Sequence, residues 1–183
     1  MNNNVIFDIN DYQSGDGMLT SIWGPALWHF LHTMSFNYPV QPTKQDKINY
    51  RNFILSLKDI LPCRYCRENL KKNLKTLPIT MKVMKSRYTF SYYIYELHEL
   101  INTMLNKKSG LTYDQVRETY EHFRSRCNSS SNKRKTRKKK SKEKGCTTPL
   151  KGVKSKCLIR IVPSTSKNKT FKVEPSCFTR RLY

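Results

Sequence analysis

The stretch TFSYYIYELHELINTMLNK, residues 89–107, decides the fold class of this chain. Its apolar residues recur at steps of four, three, four and three, which is the spacing of one face of an α-helix. That row consists of Phe90, Ile94, Leu97, Ile101, Met104 and Leu105. The turn KSG follows, and Gly110 can adopt the left-handed conformation in which many helices end. The stretch therefore predicts a long amphipathic helix.

Helical patterns also occupy the sequence on both sides of this helix. They cover residues 21–39, 43–61, 63–75 and 112–127. Pro25 is assigned to a first helical turn, Thr43 is a predicted N-cap, and Thr112 with Gln115 forms a predicted capping box. The apolar set of the second helix includes Ile48, Leu55 and Ile60. No stretch within residues 20–127 alternates in the manner of a strand. The sequence therefore predicts an all-α fold: a four-helix bundle with a short fifth helix.

The charge divides the chain into two unequal parts. Residues 1–127 carry 17 Lys+Arg and 11 Asp+Glu, a net of +6, whereas residues 128–183 carry 18 and 2, a net of +16. We expect a disordered N-terminus over 1–17, a folded domain over 18–127 and a basic, low-complexity, disordered tail over 128–183. Nine Lys/Arg lie in residues 133–144. This block predicts either a solubilising segment or non-specific binding to nucleic acid or another anionic surface.

The sequence predicts no transmembrane segment and no secretion. No run approaches the roughly 18 apolar residues that a membrane-spanning helix requires. The N-terminus lacks a basic region followed by an apolar region, so it does not resemble a signal peptide. A cytosol-like compartment is therefore expected, and in that setting a close cysteine pair favours metal binding or redox chemistry over a structural disulfide.

The motif PCRYC places Cys63 and Cys66 at the start of a predicted helix. A structural zinc site needs four ligands, and no second close cysteine pair accompanies this one. A thioredoxin-like domain needs strands around the motif, and none is predicted. Two ordinary helix cysteines remain an alternative. The helix N-terminus, with Arg64 and Arg67 nearby, would however stabilise a thiolate, and this favours a working dithiol.

A dithiol that oxidises other thiols needs an electron acceptor, which is commonly a flavin. Two pairs of residues with i, i+4 spacing could offer aromatic and polar groups to such a cofactor: Trp28 with His32, and His98 with Asn102. Each pair alone is more typical of a half-buried helix face. Their presence together with the CxxC motif indicates a flavin site.

Three motifs in this order resemble the Erv/ALR family of FAD-linked sulfhydryl oxidases. WGPALWHFLHTMSFNYP is similar to the family's G-x-x-x-W-x-x-L-H-x-x-(small)-x-x-Y-P signature. PCRYC is similar to the redox CxxC, and HELINTMLNK to H-N-x-V-N-x-x-L-x-K. The resemblance covers residues 18–127. It implies a helical bundle that holds FAD beside the CxxC disulfide, and a reaction in which protein thiols and O₂ give a disulfide and H₂O₂.

The resemblance also implies a role for each matching residue. Cys63 would exchange with thiol-containing protein substrates, and Cys66 would face the flavin C4a atom. The expected cofactor-binding residues are Gly24, Trp28, His32, Tyr38, His98, Asn102, Lys107 and Tyr120. The family commonly forms homodimers through its first helices, so a homodimer is expected. Members that lack targeting signals resemble those of large cytoplasmic DNA viruses, which implies a location in host cytoplasm and virions.

The sequence departs from the family pattern at several positions. Glu99 replaces an Asn, Pro25 stands where many members carry Arg, and Tyr120 or Phe123 stands where an aromatic residue, often Trp, closes the adenine pocket. The additional cysteine pair of cellular members is absent, and Cys127 has no obvious partner within the domain. One of the tail cysteines Cys146, Cys157 and Cys177 could instead relay oxidising equivalents to Cys63. The alternative function is a non-catalytic helical domain with a basic nucleic-acid-binding tail.

Overall fold

A computed structural model of the chain describes residues 6–126, 145–151, 153–169 and 171–178. The helices are α1 (Ile9–Gln13), α2 (Thr20–Phe36), α3 (Lys44–Ile60), α4 (Arg64–Thr76), α5 (Arg87–Met104) and α6 (Tyr113–Glu121), with 3₁₀ turns at Val83–Lys85 and Pro175–Cys177. Two two-residue strands, β1 (Ser125–Arg126) and β2 (Thr148–Pro149), pair in antiparallel fashion. The predicted all-α class is confirmed.

Helix α5 lies at the centre of the domain and contacts α2, α4 and α6, while α3 packs on α4. The apolar row that predicted α5 is buried at Phe90, Ile94 and Leu97, which are at most 2% exposed. Met104 and Leu105 at the end of that row are 41% and 49% exposed. The helix ends at Met104, so the neighbouring helices that cover the rest of the row do not cover its last turn.

Helix α3 packs the predicted Leu55 against the core, but its most buried positions are ones that the sequence did not single out. Ile54 is fully buried and Leu57 is 7% exposed, and Leu61 just after the helix also joins the core. These three positions are spaced by three and four residues, as one helix face requires. Ile60 is 65% exposed, so its assignment to the apolar face was wrong. It lies about 100° around the helix from Leu61.

Helix α2 begins one residue before the predicted stretch 21–39, and its proline does not lie where the sequence predicts it. Its first residue is Thr20, so Pro25 lies inside the helix rather than in its first turn. An internal proline removes one backbone hydrogen bond. The first turn of the helix is stabilised by a contact with the preceding segment, because the indole Nε1 of Trp23 donates to the carbonyl of Met18 at 3.0 Å. The start of α2 is thereby fixed to the segment that precedes it.

The capping predictions for two other helices are confirmed. Thr43 and Thr112 accept hydrogen bonds from the backbone of their own helices, and both form capping boxes. Helix α6 ends at Glu121 rather than near residue 127, since the chain then enters β1. Cys127 and the basic block 133–144 lie outside the described residues.

The described parts of the two chain ends differ in their contacts with the domain. Helix α1 has no buried residue. In the tail, the backbone N–H of Leu150 donates to the Arg124 carbonyl at 2.7 Å, and the rings of Phe171 and Phe178 pack on the domain. Disorder over 1–17 and 128–183 stays a prediction. Within the part of the chain that the structure describes, no helix has the length and apolar character to cross a membrane.

Candidate active site

Cys63 and Cys66 form a disulfide at the N-terminus of α4, with their Cα atoms 5.2 Å apart. Cys63 is the N-cap of the helix, and its Sγ accepts a hydrogen bond from the backbone N–H of Cys66 at 3.2 Å. Both cysteines are half-buried, but it is Cys66 that packs against the hydrophobic core. The motif is therefore an intact disulfide in which Cys63 is the outer cysteine and Cys66 is the inner one.

The positive end of α4 is the main charge beside Cys63. The sequence suggested that two arginines would add to it. In the structure Arg64 lies 3.8 Å from the carboxylate of Glu68, and the guanidinium of Arg67 donates to the carbonyl of Leu61. Both cations are thus engaged by other groups. The free N–H groups of the first helical turn remain to favour a thiolate at Cys63.

A short segment before α2 lies directly on the CxxC motif. The backbone N–H of Met18 donates to the carbonyl of Pro62 at 2.8 Å. Gly17 approaches so closely that a Cβ atom at this position would be 2.6 Å from the Pro62 oxygen. At the first residue of α2, the Thr20 hydroxyl lies 3.6 Å from the Sγ of Cys66. No local sequence pattern predicted that this segment belongs to the site.

One row of residues on α2 leads from the disulfide to a cluster of aromatic side chains. It consists of Thr20, Gly24, Trp28 and His32, each four residues after the last. Twelve residues of helix span about 18 Å. Gly24 lies in the middle of the row and has no side chain. A Cβ atom at this position would meet only a methyl group of Thr20, at 3.4 Å.

The far end of this row holds most of the predicted cofactor-binding side chains. The rings of Trp28 and His98 are stacked, with centroids 3.9 Å apart and planes at 6°. The Nε2 of His32 lies 3.0 Å from the Nδ1 of His98. The ring of Tyr120, from α6, stacks on His32 with a centroid distance of 5.2 Å. Three helices thus bring the first i, i+4 pair and His98 of the second pair into one aromatic–histidine cluster, made of Trp28, His32, His98 and Tyr120.

His32 carries an unpaired polar atom inside this cluster. The residue is 4% exposed, and its Nδ1 has no hydrogen-bond partner among the residues that the structure describes. Burial, with smaller effects of His98 and His29, lowers the pKa of His32 to about 3. Burial likewise lowers the pKa of His98 to about 4, against a small opposing effect of Glu99. Both imidazoles are therefore neutral at pH 7, with one ring nitrogen of the pair donating and the other accepting.

The free energy of unfolding should fall as the pH falls from about 6.5 towards 4. In that window the unfolded chain binds protons at both histidines, whose ordinary pKa is 6.5, while the native pair stays neutral. Each histidine contributes up to about 1.4 kcal/mol per pH unit. Urea unfolding at pH 7, 6 and 5 measures the slope. The His122→Gln variant should keep this slope, and His32→Asn should reduce it. Equal slopes in all three proteins would contradict the assignment.

Besides Gly24, three of the predicted cofactor-binding residues lie outside the aromatic–histidine cluster. The amide Nδ2 of Asn102 donates to the Glu99 carboxylate at 3.0 Å, so the residue that departs from the family pattern orients its neighbour. Lys107 is exposed, and its backbone N–H donates to the Asn102 carbonyl at 2.8 Å. Tyr38 is fully buried, and its hydroxyl donates to the Met84 carbonyl at 3.0 Å. Tyr38 is thus a core residue here and is not brought to the cluster.

Two further aromatic residues border the cluster and were missed. The ring of His29 lies 5.6 Å from that of Tyr120, and its Nδ1 is 3.4 Å from the Tyr120 hydroxyl. Phe171, from the tail, packs on His29 at 5.0 Å. His29 could have been suspected because it follows Trp28 on the same helix. Phe171 has no local sequence signal, since its contact spans more than 50 residues of chain.

Comparison with known proteins agrees with this arrangement. The family model described as "Erv1 / Alr family" matches residues 25–124, which is more than half of the chain. The chain belongs to the Erv1/Alr family. This membership confirms the resemblance carried by the three sequence motifs. The matched range includes the CxxC disulfide and the whole aromatic–histidine cluster, but neither the segment around Met18 nor the tail.

Individual members of the Erv1/Alr family show how far the similarity extends. A probable FAD-linked sulfhydryl oxidase of Acanthamoeba polyphaga mimivirus is 35% identical over 99 residues, which are 54% of this chain and 68% of that protein. An FAD-linked sulfhydryl oxidase of Arabidopsis thaliana is 33% identical over 84 residues, so the chain spans only 42% of its length. The yeast Erv1 core shares the fold, with a TM-score of 0.51, 22% identity, and coverage of 66% of this chain and 94% of that one.

Proposed function

We propose that the chain is an FAD-dependent thiol oxidase that forms disulfide bonds in protein substrates and passes the electrons to O₂, with release of H₂O₂. One observation carries the proposal: the Cys63–Cys66 disulfide lies at one end of the α2 row, and the aromatic–histidine cluster lies at the other. Membership of the Erv1/Alr family supports it. The alternative of a non-catalytic helical domain does not account for a disulfide at a helix N-terminus beside such a row.

The residues of the row and the cluster fit FAD. Trp28, His98 and Tyr120 offer aromatic faces, and planar rings stack on such faces. The unpaired Nδ1 of His32 is a buried polar atom that still needs a partner, which a polar ligand would supply. Gly24 leaves the helix backbone open to close approach. When bound, FAD supplies an acceptor for two electrons from a dithiol and a route from there to O₂.

The two cysteines are suited to different steps. A substrate thiolate attacks the Sγ of Cys63, because this sulfur lies on the outer side at the helix N-terminus. The Cys63–Cys66 bond breaks, a substrate–Cys63 disulfide forms, and the electron pair leaves on the Sγ of Cys66. A second substrate thiolate then attacks the substrate sulfur of the mixed disulfide. The substrate is released as a disulfide, and Cys63 leaves as a thiolate.

The purified protein provides a direct test. We expect a yellow protein with the visible absorption bands of a flavin, and oxygen consumption when a small dithiol is added. Colourless, flavin-free protein that consumes no oxygen and binds DNA would favour the non-catalytic alternative. Flavin analysis of the denatured supernatant identifies FAD, as opposed to a smaller flavin.

We also propose that the chain forms a homodimer through the outer faces of α2 and α3. Ile22, Phe30 and Ile60 on these faces are 43%, 52% and 65% exposed, and the ring of Phe30 contacts that of Phe53 at 6.1 Å. Apolar side chains at such exposure favour burial against a partner.

We expect Phe30→Glu to convert a dimer into a monomer in size-exclusion chromatography with light scattering. The matched control is Tyr88→Glu, because Tyr88 is also an exposed aromatic residue. A dimer that survived Phe30→Glu would contradict the proposed interface.

Two other proposals concern the binding partner of the basic tail and the location of the protein. The Lys/Arg block at 133–144 is proposed to bind nucleic acid or another anionic surface without sequence preference, and binding to DNA should then weaken steeply with salt. We propose that this is a viral protein of host cytoplasm and virions; the mimivirus relative supports the viral origin. Detection of the protein only in mitochondria or in the secretory route would contradict that location.

A further inference from the structure

The Thr20 hydroxyl is placed to act on the inner sulfur of the disulfide. Its Oγ1 lies 3.6 Å from the Sγ of Cys66. A sulfur in a disulfide carries no hydrogen, so the hydroxyl is the donor in this contact. Thr20 lies before the range that the family model matches, and it is not among the residues expected from the family motifs.

We propose that Thr20 is a catalytic residue whose hydroxyl donates a hydrogen bond to the Cys66 thiolate as that thiolate leaves the disulfide. In the step concerned, a substrate thiolate bonds to Cys63 and the Cys63–Cys66 bond breaks. The electron pair of that bond goes to Cys66, and no proton is transferred. A hydrogen bond to the charged form stabilises that form, so the donor makes Cys66 a better leaving group. The place of this step in the reaction rests on the proposed function.

The structure holds Thr20 in position through the segment that precedes it. Met18 is bound on both sides: its N–H donates to the Pro62 carbonyl at 2.8 Å, and its own carbonyl accepts from the Trp23 indole at 3.0 Å. The backbone of Gly17 packs closely on Pro62 and Cys63. A Cβ atom at Gly17 would be 2.6 Å from the Pro62 oxygen and 3.0 Å from the Cys63 Cα. Both of these are backbone atoms that cannot swing aside. The Gly17–Thr20 segment is therefore a clasp between α2 and the CxxC motif.

The test measures the Cys66 thiolate directly, in full-length reduced protein. Each variant is alkylated with iodoacetamide at a series of pH values, and mass spectrometry quantifies the Cys66 peptide. Thr20→Val removes the donor but keeps the shape, so we expect the pH midpoint for Cys66 to rise by about one unit, equal to a tenfold smaller thiolate fraction below the midpoint. Thr20→Ser should restore the wild-type midpoint. Gly17→Ala should shift it in the same direction as Thr20→Val, because the added methyl group displaces the clasp.

The control is Thr33→Val, on the same helix. The Thr33 hydroxyl donates to the His29 carbonyl at 2.8 Å, so this variant makes the same chemical change away from the disulfide. An unchanged midpoint in Thr20→Val, an equal shift in Thr33→Val, or a failure of Thr20→Ser to restore the midpoint would each overturn the proposal. The readout does not depend on flavin or oxygen. A protein without oxidase activity that still showed the Thr20-dependent shift would contradict the proposed function and leave this inference standing.

Discussion

Replacing Cys66 by serine should abolish dithiol-dependent oxygen consumption, with a loss of at least about 100-fold, because no disulfide can then accept electrons from a thiol. Cys63→Ser should cause the same loss with dithiothreitol as substrate. In both variants the aromatic–histidine cluster is unchanged, because it lies at the other end of the α2 row from the disulfide. We therefore expect both to purify with FAD bound. The measurement is oxygen uptake per bound flavin, which separates lost chemistry from a lost cofactor.

The tail cysteines provide the matched controls. Cys157 and Cys177 are free thiols in the structure, and Cys146 is in a disulfide. Replacing either free thiol by serine should leave oxidation of a small dithiol within about twofold of wild type, because such a substrate reaches Cys63 without a relay. If Cys66→Ser retained turnover, the inner sulfur would have been assigned wrongly. If Cys157→Ser or Cys177→Ser impaired protein substrates alone, a relay through the tail would be supported.

Much of the fold followed from local sequence patterns. The period of α5 and the capping residues Thr43 and Thr112 each depend on a few neighbouring positions, and the structure confirms them. The start of α2 could not be predicted in this way. Its first turn lacks a side-chain cap. Trp23 donates to Met18 just before the helix, and Met18 donates to Pro62, which lies more than 40 residues away in the chain. Ile60 was wrongly assigned to the apolar face of α3 for a similar reason, because Leu61 enters the core after the helix has ended.

The site was predictable to the extent that it lies on single helices. The i, i+4 pairs of α2 and α5 identified Trp28, His32 and His98 of the cluster, and extending the α2 row by two steps towards the N-terminus would have reached Thr20. Tyr38 and Phe171 show the limit of this reasoning. Tyr38 matches a family motif, yet the packing of Tyr50 and Phe90 around its ring makes it a core residue. Phe171 reaches the cluster from the tail, and no local pattern indicates such a contact.

Removing FAD should lower the melting temperature of the domain by about 10–20 °C. A ligand present at 100 times its dissociation constant stabilises the native state by about 2.7 kcal/mol, and each kcal/mol shifts the melting temperature of a domain this size by about 4–8 °C. The cluster gives a local reason for such dependence. The unpaired Nδ1 of His32 is buried, and an unsatisfied buried polar atom costs about 1–3 kcal/mol unless a ligand supplies its partner.

Trp28→Ala distinguishes binding at this cluster from binding elsewhere. The indole stacks on His98, so its loss removes an aromatic face and should weaken FAD binding by at least about tenfold. At the same FAD concentration a tenfold weaker affinity leaves about 1.4 kcal/mol of stabilisation, so the difference in melting temperature between the FAD-supplemented and FAD-free Trp28→Ala proteins should shrink to about half of the wild-type difference or less. Trp23→Phe is the control: Trp23 donates to Met18 and lies outside the cluster, so this variant should keep the difference between the two forms. Coinciding melting temperatures in the wild-type protein would contradict both the dependence on FAD and the role given to His32. A normal difference in Trp28→Ala would instead place the cofactor away from the far end of the α2 row.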